Sequence, residues 1–366
     1  MQSLFRTRVS KRRFFIILVV FSLASFTILF QHGLSSPSLY TTDKKIPNKP
    51  SLFIAANLYN NEPILNYWMT EVERLAQWAG PSRVFISVYE NGSKDQTKKI
   101  LASWRDRLEE LDIPHSIVTD DQPKITADSI RRIVTLANVR NQALAPLFEN
   151  ANGSSSSSSS SSYDRIVYLN DIVFRLEDVL KLLDTNGGDF DAACGLDFFG
   201  RFYDVFATRE IDGRWVGSGD YPYFADETSQ KLLRQGQPVP VYSCWNGMAV
   251  FAAEPFINHH LQFRAILPKE PQPPVEASEC CLIFTDLRDV QKDARVFINP
   301  KVRVAYDLFH YWYARTILPL WNPFMLLYNH PNHDMDNEKE AEWTYQVHKA
   351  YDMGVDERDY ICLQPR

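Results

Sequence analysis

Several acidic and amide residues sit where apolar runs of the chain stop, which is where a folded α/β protein does chemistry. In Tyr168-Leu169-Asn170-Asp171-Ile172-Val173-Phe174 an isolated carboxylate closes the most strand-like stretch. Such a carboxylate suits a hard cation, Mn2+ or Mg2+, which would neutralise a diphosphate. A cap on the helix starting near Leu176 is the other use of Asp171. The two-carboxylate form Asp-x-Asp is absent, since Val173 fills the third place. The turn Glu90-Asn91-Gly92-Ser93-Lys94-Asp95 follows a second apolar run, RVFISVY. Its side chains could hydrogen-bond a base and ribose; equally, Asn-Gly makes a turn and Asp95 caps the next helix. Asp197 closes CGLDFF, and Trp245-Asn246 precedes another apolar strand. An indole stacks on sugar C–H faces and an amide pairs with hydroxyls, although a core Trp at a turn has the same sequence. Glu279 and Asp286 lie in ECCLIFTDLR, where either acid could orient an acceptor hydroxyl or serve a cap or ion pair.

Other chemistries lack their residues. The turn after SLFIAA is Asn57-Leu58-Tyr59-Asn60-Asn61, with no GxGxxG, and neither GxxxxGK[ST] nor GxSxG occurs. No CxxC is present, so a structural zinc site is not expected. In His330-Pro331-Asn332-His333 the proline breaks helical metal spacing. Net charge is −6, which offers no global basic field for nucleic acid.

Positioning these residues takes an alternation of strands and helices. SLFIAA, RVFISVY, SIVTDD, DRIVYLNDIVF and FDAACGLDFF read as strands, separated by amphipathic stretches near Pro63, Thr97, Asp128 and Glu177. That pattern predicts an α/β fold with a mostly parallel central sheet, which binds ligands at the carboxyl ends of its strands. Beyond Phe199 the regularity weakens, and that half is expected to face the substrate on the same core. The nine serines of residues 154–162 have nothing to bury and predict a disordered surface insertion. At 366 residues, with 45% hydrophobic and 23% charged residues, the chain has the composition of a globular protein.

The N-terminus is different. Its first thirteen residues carry five positive charges and no negative one, and residues 14–30 (FFIILVVFSLASFTILF) carry no charge or proline. This run is at the short end of the roughly 17–25 residues that span a bilayer. The charge asymmetry predicts a cytoplasmic tail at 1–13, a signal anchor at 14–30, a stem at 31–50 and a lumenal domain at 51–366. A cleaved signal peptide is the alternative, but Leu29-Phe30-Gln31-His32 is a poor cleavage site. Sequons at Asn91 and Asn152 are compatible with a lumen. There the five cysteines could form two bridges with one left over, in a connectivity the sequence does not reveal.

Taken in order, ENGSKDQT, YLNDIVF, CGLDFF, SCWNGMAVF and SECCLIFTDLR behind a type II anchor resemble the fungal α-1,3-mannosyltransferase family of the cryptococcal capsule-associated proteins. The resemblance covers about Ser51 to Asp307. It implies a GT-A-like glycosyltransferase of the Golgi or endoplasmic reticulum membrane. GDP-mannose would be the donor, Mn2+ (or Mg2+) the cofactor and a mannose-containing glycan the acceptor, with retention of configuration. On that basis Asp171 is expected at the metal. Asn57, Glu90, Asn91, Asp95, Arg140 and Asn141 are expected at the nucleotide. Asp197, Glu279 and Asp286 are the expected catalytic acids, and Trp245 and Asn246 the acceptor contacts. A non-catalytic lectin-like or scaffolding subunit of a glycan-assembly complex is the alternative. A glycoside hydrolase, needing two carboxylates about 5–10 Å apart, is a third reading.

Overall fold

The computed structural model describes residues 49–120, 129–151, 163–216, 219–267, 275–326 and 337–364. The expected tail, anchor, most of the stem, the serine run and the His330–His333 pair lie outside these residues. Among the described residues no helix is long and apolar enough to cross a membrane.

The first half alternates as its hydrophobic periods require: β1 (Leu52–Leu58), α1 (Glu62–Ala79), β2 (Val84–Asn91), α2 (Thr97–Glu110), β3 (His115–Asp120), α3 (Ser129–Ala151), β4 (Arg165–Leu169) and α4 (Leu176–Leu183). There follow β5 (Ala192–Phe199), β6 (Arg201–Phe202), β7 (Arg209–Glu210), α5 (Glu227–Arg234), β8 (Val239–Ser243), β9 (Met248–Ala252) and α6 (Glu254–His259). The chain continues through α7 (Glu279–Val290), β10 (Val296–Ala305), α8 (Leu308–Thr316), α9 (Leu318–Met325) and α10 (Asn337–Asp352).

The strands form one sheet in the order β3-β2-β1-β4-β9-β5-β10-β8-β7, with β6 paired to β5. Period-two burial is visible along β1: Phe53 and Ala55 enter the core on one face, and Leu52, Ile54, Ala56 and Leu58 the core on the other. The expected mostly parallel sheet is corrected here. Four pairings are parallel and five antiparallel, so the sheet is mixed. β9 runs antiparallel between β4 and β5. A strand buried on both faces is a continuous apolar run in either direction, so MAVFA carries no directional signal.

Two disulfides form, Cys194–Cys244 across the sheet and Cys281–Cys362, and Cys280 stays free and buried. The second bridge ties α7 to the C-terminal segment, where a small apolar cluster gathers around it.

Candidate functional site

β1, β2 and β4 run parallel in register, with Leu58 beside Glu90 and Ala56 beside Leu169. Glu90 and Asp171 therefore leave the sheet on the same edge, the one expected to bind ligand.

The first two strand exits are laced together. The Asn60 amide donates to Ser93 Oγ at 2.8 Å, and Asn60 Oδ1 accepts from the Lys94 amide at 2.8 Å. Asp95 Oδ2 accepts from the Glu62 amide at 3.0 Å, while Glu62 Oε2 accepts from the Gln96 amide at 3.1 Å. Asp95 also accepts from the Thr97 amide at 3.0 Å, so it caps α2 and joins the start of α1 to it. Burial raises its carboxyl, but the donors of Thr97 and Glu62 prevail and hold it below the usual range. Asp95 thus shapes the turn between the first two strand exits. Asn91 ends β2, half-buried beside it. Glu90 is fully buried; one carboxylate oxygen accepts from the Ser93 amide. The other has no hydrogen-bond partner, and Lys98 Nζ lies 3.9 Å away.

A buried guanidinium organises the next layer. Arg140, on α3, is 5% exposed and donates through Nε to Glu279 Oε1 at 3.1 Å. Its Nη1 donates to Asn57 Oδ1 and Asn170 Oδ1, each at 3.3 Å, and its plane lies 4.3 Å over the Trp245 ring. Trp245 Nε1 donates to Asn170 Oδ1 at 3.1 Å, and the Tyr168 hydroxyl to Asn57 Oδ1 at 3.2 Å. Arg140 therefore joins β1, the β4 exit, α7 and the Trp245 turn. Its Nε and Nη1 are engaged inside the protein, so within the described contacts Arg140 organises the site from behind. Glu279 is an ion-paired carboxylate, 3% exposed, and not an open base.

The third group surrounds Tyr306, at the exit of β10. Its hydroxyl donates to Asp197 Oδ2 at 2.6 Å, and Asp197 Oδ1 accepts from the Asp204 amide at 3.1 Å. Asp204 accepts in turn from the Asn246 and Ala207 amides at 3.0 and 3.2 Å. Burial raises the Tyr306 phenol well above its ordinary value, and the charges of Asp197, Asp204 and Asp171 raise it further. Asp197 is the acid that touches the phenol, and Asp204 is tied to Asp197 through its own backbone amide. Burial, then the Asp204 charge, pushes Asp197 up to about 7. Asp171 is half-buried and raised by desolvation, against the Asn61 amide and the Arg140 charge, which lower it.

The raised Asp197 has a thermodynamic consequence. Its proton is held more tightly in the folded than in the unfolded chain, so stability falls as pH rises from about 4 to 7. In Asp197→Asn that slope is expected to flatten: denaturation midpoints at successive pH values should draw level with or exceed wild type only toward neutral pH. A parent-minus-variant difference independent of pH would refute the assignment.

The remaining expectations fall differently. Asn141 Nδ2 and Oδ1 clamp the backbone of Phe263 at 2.8 and 2.9 Å, away from any ligand. Asp286 binds Arg264 at 2.7 and 2.9 Å, and Arg264 also holds Asp359. It therefore fastens α7 to the C-terminal segment, two turns from Glu279. Trp245 and Asn246 are 2% and 0% exposed, so neither offers a surface to a sugar. Asn246 is consumed by Gly195 O at 2.7 Å and Thr208 Oγ1 at 3.0 Å. Gly247 follows at φ 72°, where a Cβ would come within 2.8 Å of Ile172. This close approach lets the Asn170 amide donate to Gly247 O at 2.9 Å, locking the β4 exit to the Trp245 turn.

Sequence reasoning missed Asp204 and Tyr306. Tyr306 follows the apolar run of β10 and was detectable as a strand exit. Asp204 lies in an irregular aromatic loop with no period to mark it.

The strand exits thus gather acids and amides at the carboxyl edge of a mixed α/β sheet, where such sheets bind ligands, with Glu90 and Asp197 fully buried and Asn57, Asn170 and Asp171 half-buried. The chain belongs to the family described as Cryptococcal mannosyltransferase 1, whose model matches residues 51–286. The α-1,3-mannosyltransferase CMT1 of Cryptococcus neoformans is 27% identical over 253 residues, covering 64% of this chain and 53% of that protein. The chain thus spans about half the length of this curated relative. Among solved structures, mannosyltransferase PcManGT from Pyrobaculum calidifontis, in complex with GDP-Man and Mn2+, is 12% identical, with a TM-score of 0.41. That overlap covers 94% of this chain and 96% of the other. TarS from S. aureus is 14% identical with a TM-score of 0.41, covering 84% and 50%. Both overlaps are too loose to place a residue of the site.

Proposed function

We propose that this protein is a retaining α-1,3-mannosyltransferase of GT-A-like fold, moving mannose from GDP-mannose to a mannose-containing glycan. Membership of the family supports the reaction class, and the observation that carries the site is the delivery of Glu90, Asp171 and Asp197 to one edge of the sheet, with Asp197 bonded to Tyr306. Glu90 offers its unpaired oxygen to a ribose hydroxyl, beside the rigid turn built by Asn60, Ser93 and Asp95. Asn57 and Asn170, held by Arg140, wall the crevice between nucleotide and sugar.

No group of three metal-ligating side chains gathers among the described residues. A single strand-exit carboxylate still fits Mn2+ or Mg2+, which are often held by one or two carboxylates plus substrate phosphates. Asp171 would supply that oxygen, and the ion would neutralise charge building on the departing diphosphate. Asp197, protonated near neutral pH, and Asp204 hold the sugar side of the crevice through Tyr306 and Asn246. In a retaining transfer the departing phosphate can take the proton of the incoming hydroxyl on the same face. No free general base is then required, which agrees with Glu279 being ion-paired. We place the chain in the Golgi or endoplasmic reticulum membrane, anchored by residues 14–30 as a single-pass type II protein.

The test offers the full chain GDP- and UDP-linked sugars with a mannose-containing glycan, with Mn2+ or with chelator. Transfer is expected from GDP-mannose and to stop on chelation. Turnover insensitive to chelator would remove the cation, and failure to transfer any sugar would favour a scaffold.

A further inference from the structure

Away from the strand exits lies a second concavity of 680 Å³, between α4, α5, the middle of β10 and helices α8 and α9. Lys181, Arg234, Lys301, Arg303 and Arg315 line it, and among the described residues no carboxylate does. Asp178 lies behind it, 2.6 Å from Arg315 and 3.8 Å from Lys181. Arg303 is held by carbonyls, donating to Ala314 O at 2.9 Å, and Arg234 contacts the neutral Gln230 at 3.3 Å. Asp178 is thus shared between two of the five cations. Burial lowers Lys181 and Arg303, and the Arg315 charge adds to the lowering of both, so these cations crowd one another. Asn322 also lines the cavity, 5% exposed, with a side-chain oxygen that has no hydrogen-bond partner. Like charges crowded in one cavity are a cost that an anion would relieve.

The helix forming one wall adds an independent feature. In α9, Pro319, Asn322 and Pro323 face the cavity, while Leu320, Trp321 and Phe324 are 70%, 54% and 55% exposed. The Trp321 and Phe324 rings pair at 5.8 Å, one helical turn apart. An apolar face rimmed by cations, with an exposed indole, is the composition of a segment lying in a membrane interface. A pocket for a free phosphate has no use for that face.

The position agrees. Lys181 is in the last turn of α4; its carbonyl accepts from Asn299 at 3.0 Å, and Gly188 just beyond accepts from Arg165 at the start of β4. This is the end of the sheet where β1 begins, opposite the strand exits. An anchor at residues 14–30 would bring that same end to the bilayer.

We propose that this pocket binds the phosphate headgroup of an anionic lipid while Leu320, Trp321 and Phe324 enter the bilayer interface, so that the domain docks on the membrane with its strand exits pointing away. The proposal is independent of the donor and the reaction assigned above.

The test places the full chain in lipid discs with brominated acyl chains, made of phosphatidylcholine alone or with phosphatidylinositol. Quenching assigned to Trp321, by difference from Trp321→Phe, is expected to be several-fold greater in the anionic discs. Lys301→Glu and Arg234→Glu, both at exposed side chains, should each bring it down to the level of the neutral discs, since a reversal removes two interfacial charges and weakens headgroup binding on the order of 25-fold. Fluorescence-detected melting confirms that each variant folds. Equal quenching in the two discs, or quenching that survives both charge reversals, overturns the proposal. Inorganic phosphate changing Trp321 emission in neutral discs without lipid quenching overturns it as well, and assigns the pocket to a soluble phosphate.

Discussion

Asp171→Asn is expected to lower sugar transfer by about 10²-fold or more while leaving the melting temperature unchanged or slightly higher. The size follows from the kind of interaction removed: one charge aimed at a developing diphosphate in a partly desolvated crevice acts mainly in the transition state. The unchanged fold follows from the raised pKa of Asp171, since burial already disfavours its charged form and an amide has no charge to desolvate. The Asn61 side chain beside it can still hydrogen-bond the amide oxygen. Initial rates at saturating donor, with cation varied, provide the measurement. Turnover within a few-fold of the parent would remove Asp171 from the chemistry and leave it as a helix-entry residue.

Arg140→Met should strike the fold instead, by about 3–5 kcal/mol in denaturant unfolding. The substitution keeps the length and apolar packing of the side chain over Trp245 but strands Glu279 as a buried charge. It also takes a donor from both Asn57 and Asn170. Adding Glu279→Gln is expected to recover part of the loss, because the stranded charge disappears with it. If the double variant is as unstable as the sum of the two single ones, the pair is uncoupled and the organising role of Arg140 fails.

The residues that could be read from sequence are those whose position follows from strand period alone. Asn57, Glu90, Asp171 and Asp197 each stand at the end of an apolar run, and a parallel register delivers such ends to one edge. Direction could not be read: MAVFA is equally apolar whichever way it runs, so the antiparallel β9 and the mixed sheet were beyond reach. Nor could the sequence separate a side chain that lines a site from one that supports it. Arg140, Asn141, Trp245, Asn246 and Asp286 have functional residue types, yet their contacts come from segments 22 to 139 positions distant. Those partners are set by tertiary packing alone. Both bridges were compatible with the cysteine count, but only the fold brings Cys194 to Cys244 and Cys281 to Cys362.

The idle oxygen of Glu90 makes discrimination a matter of default penalty. Its nearest cation, the Lys98 ammonium, stays 3.9 Å away, beyond hydrogen-bond reach, so the buried oxygen is only partly compensated in the ligand-free protein. A guest presenting a hydroxyl there cancels the shortfall, whereas one lacking that group inherits it. On the donor-binding role proposed for Glu90, deoxy analogues would be turned away without any clash, by a filter that draws on a small share of folding stability.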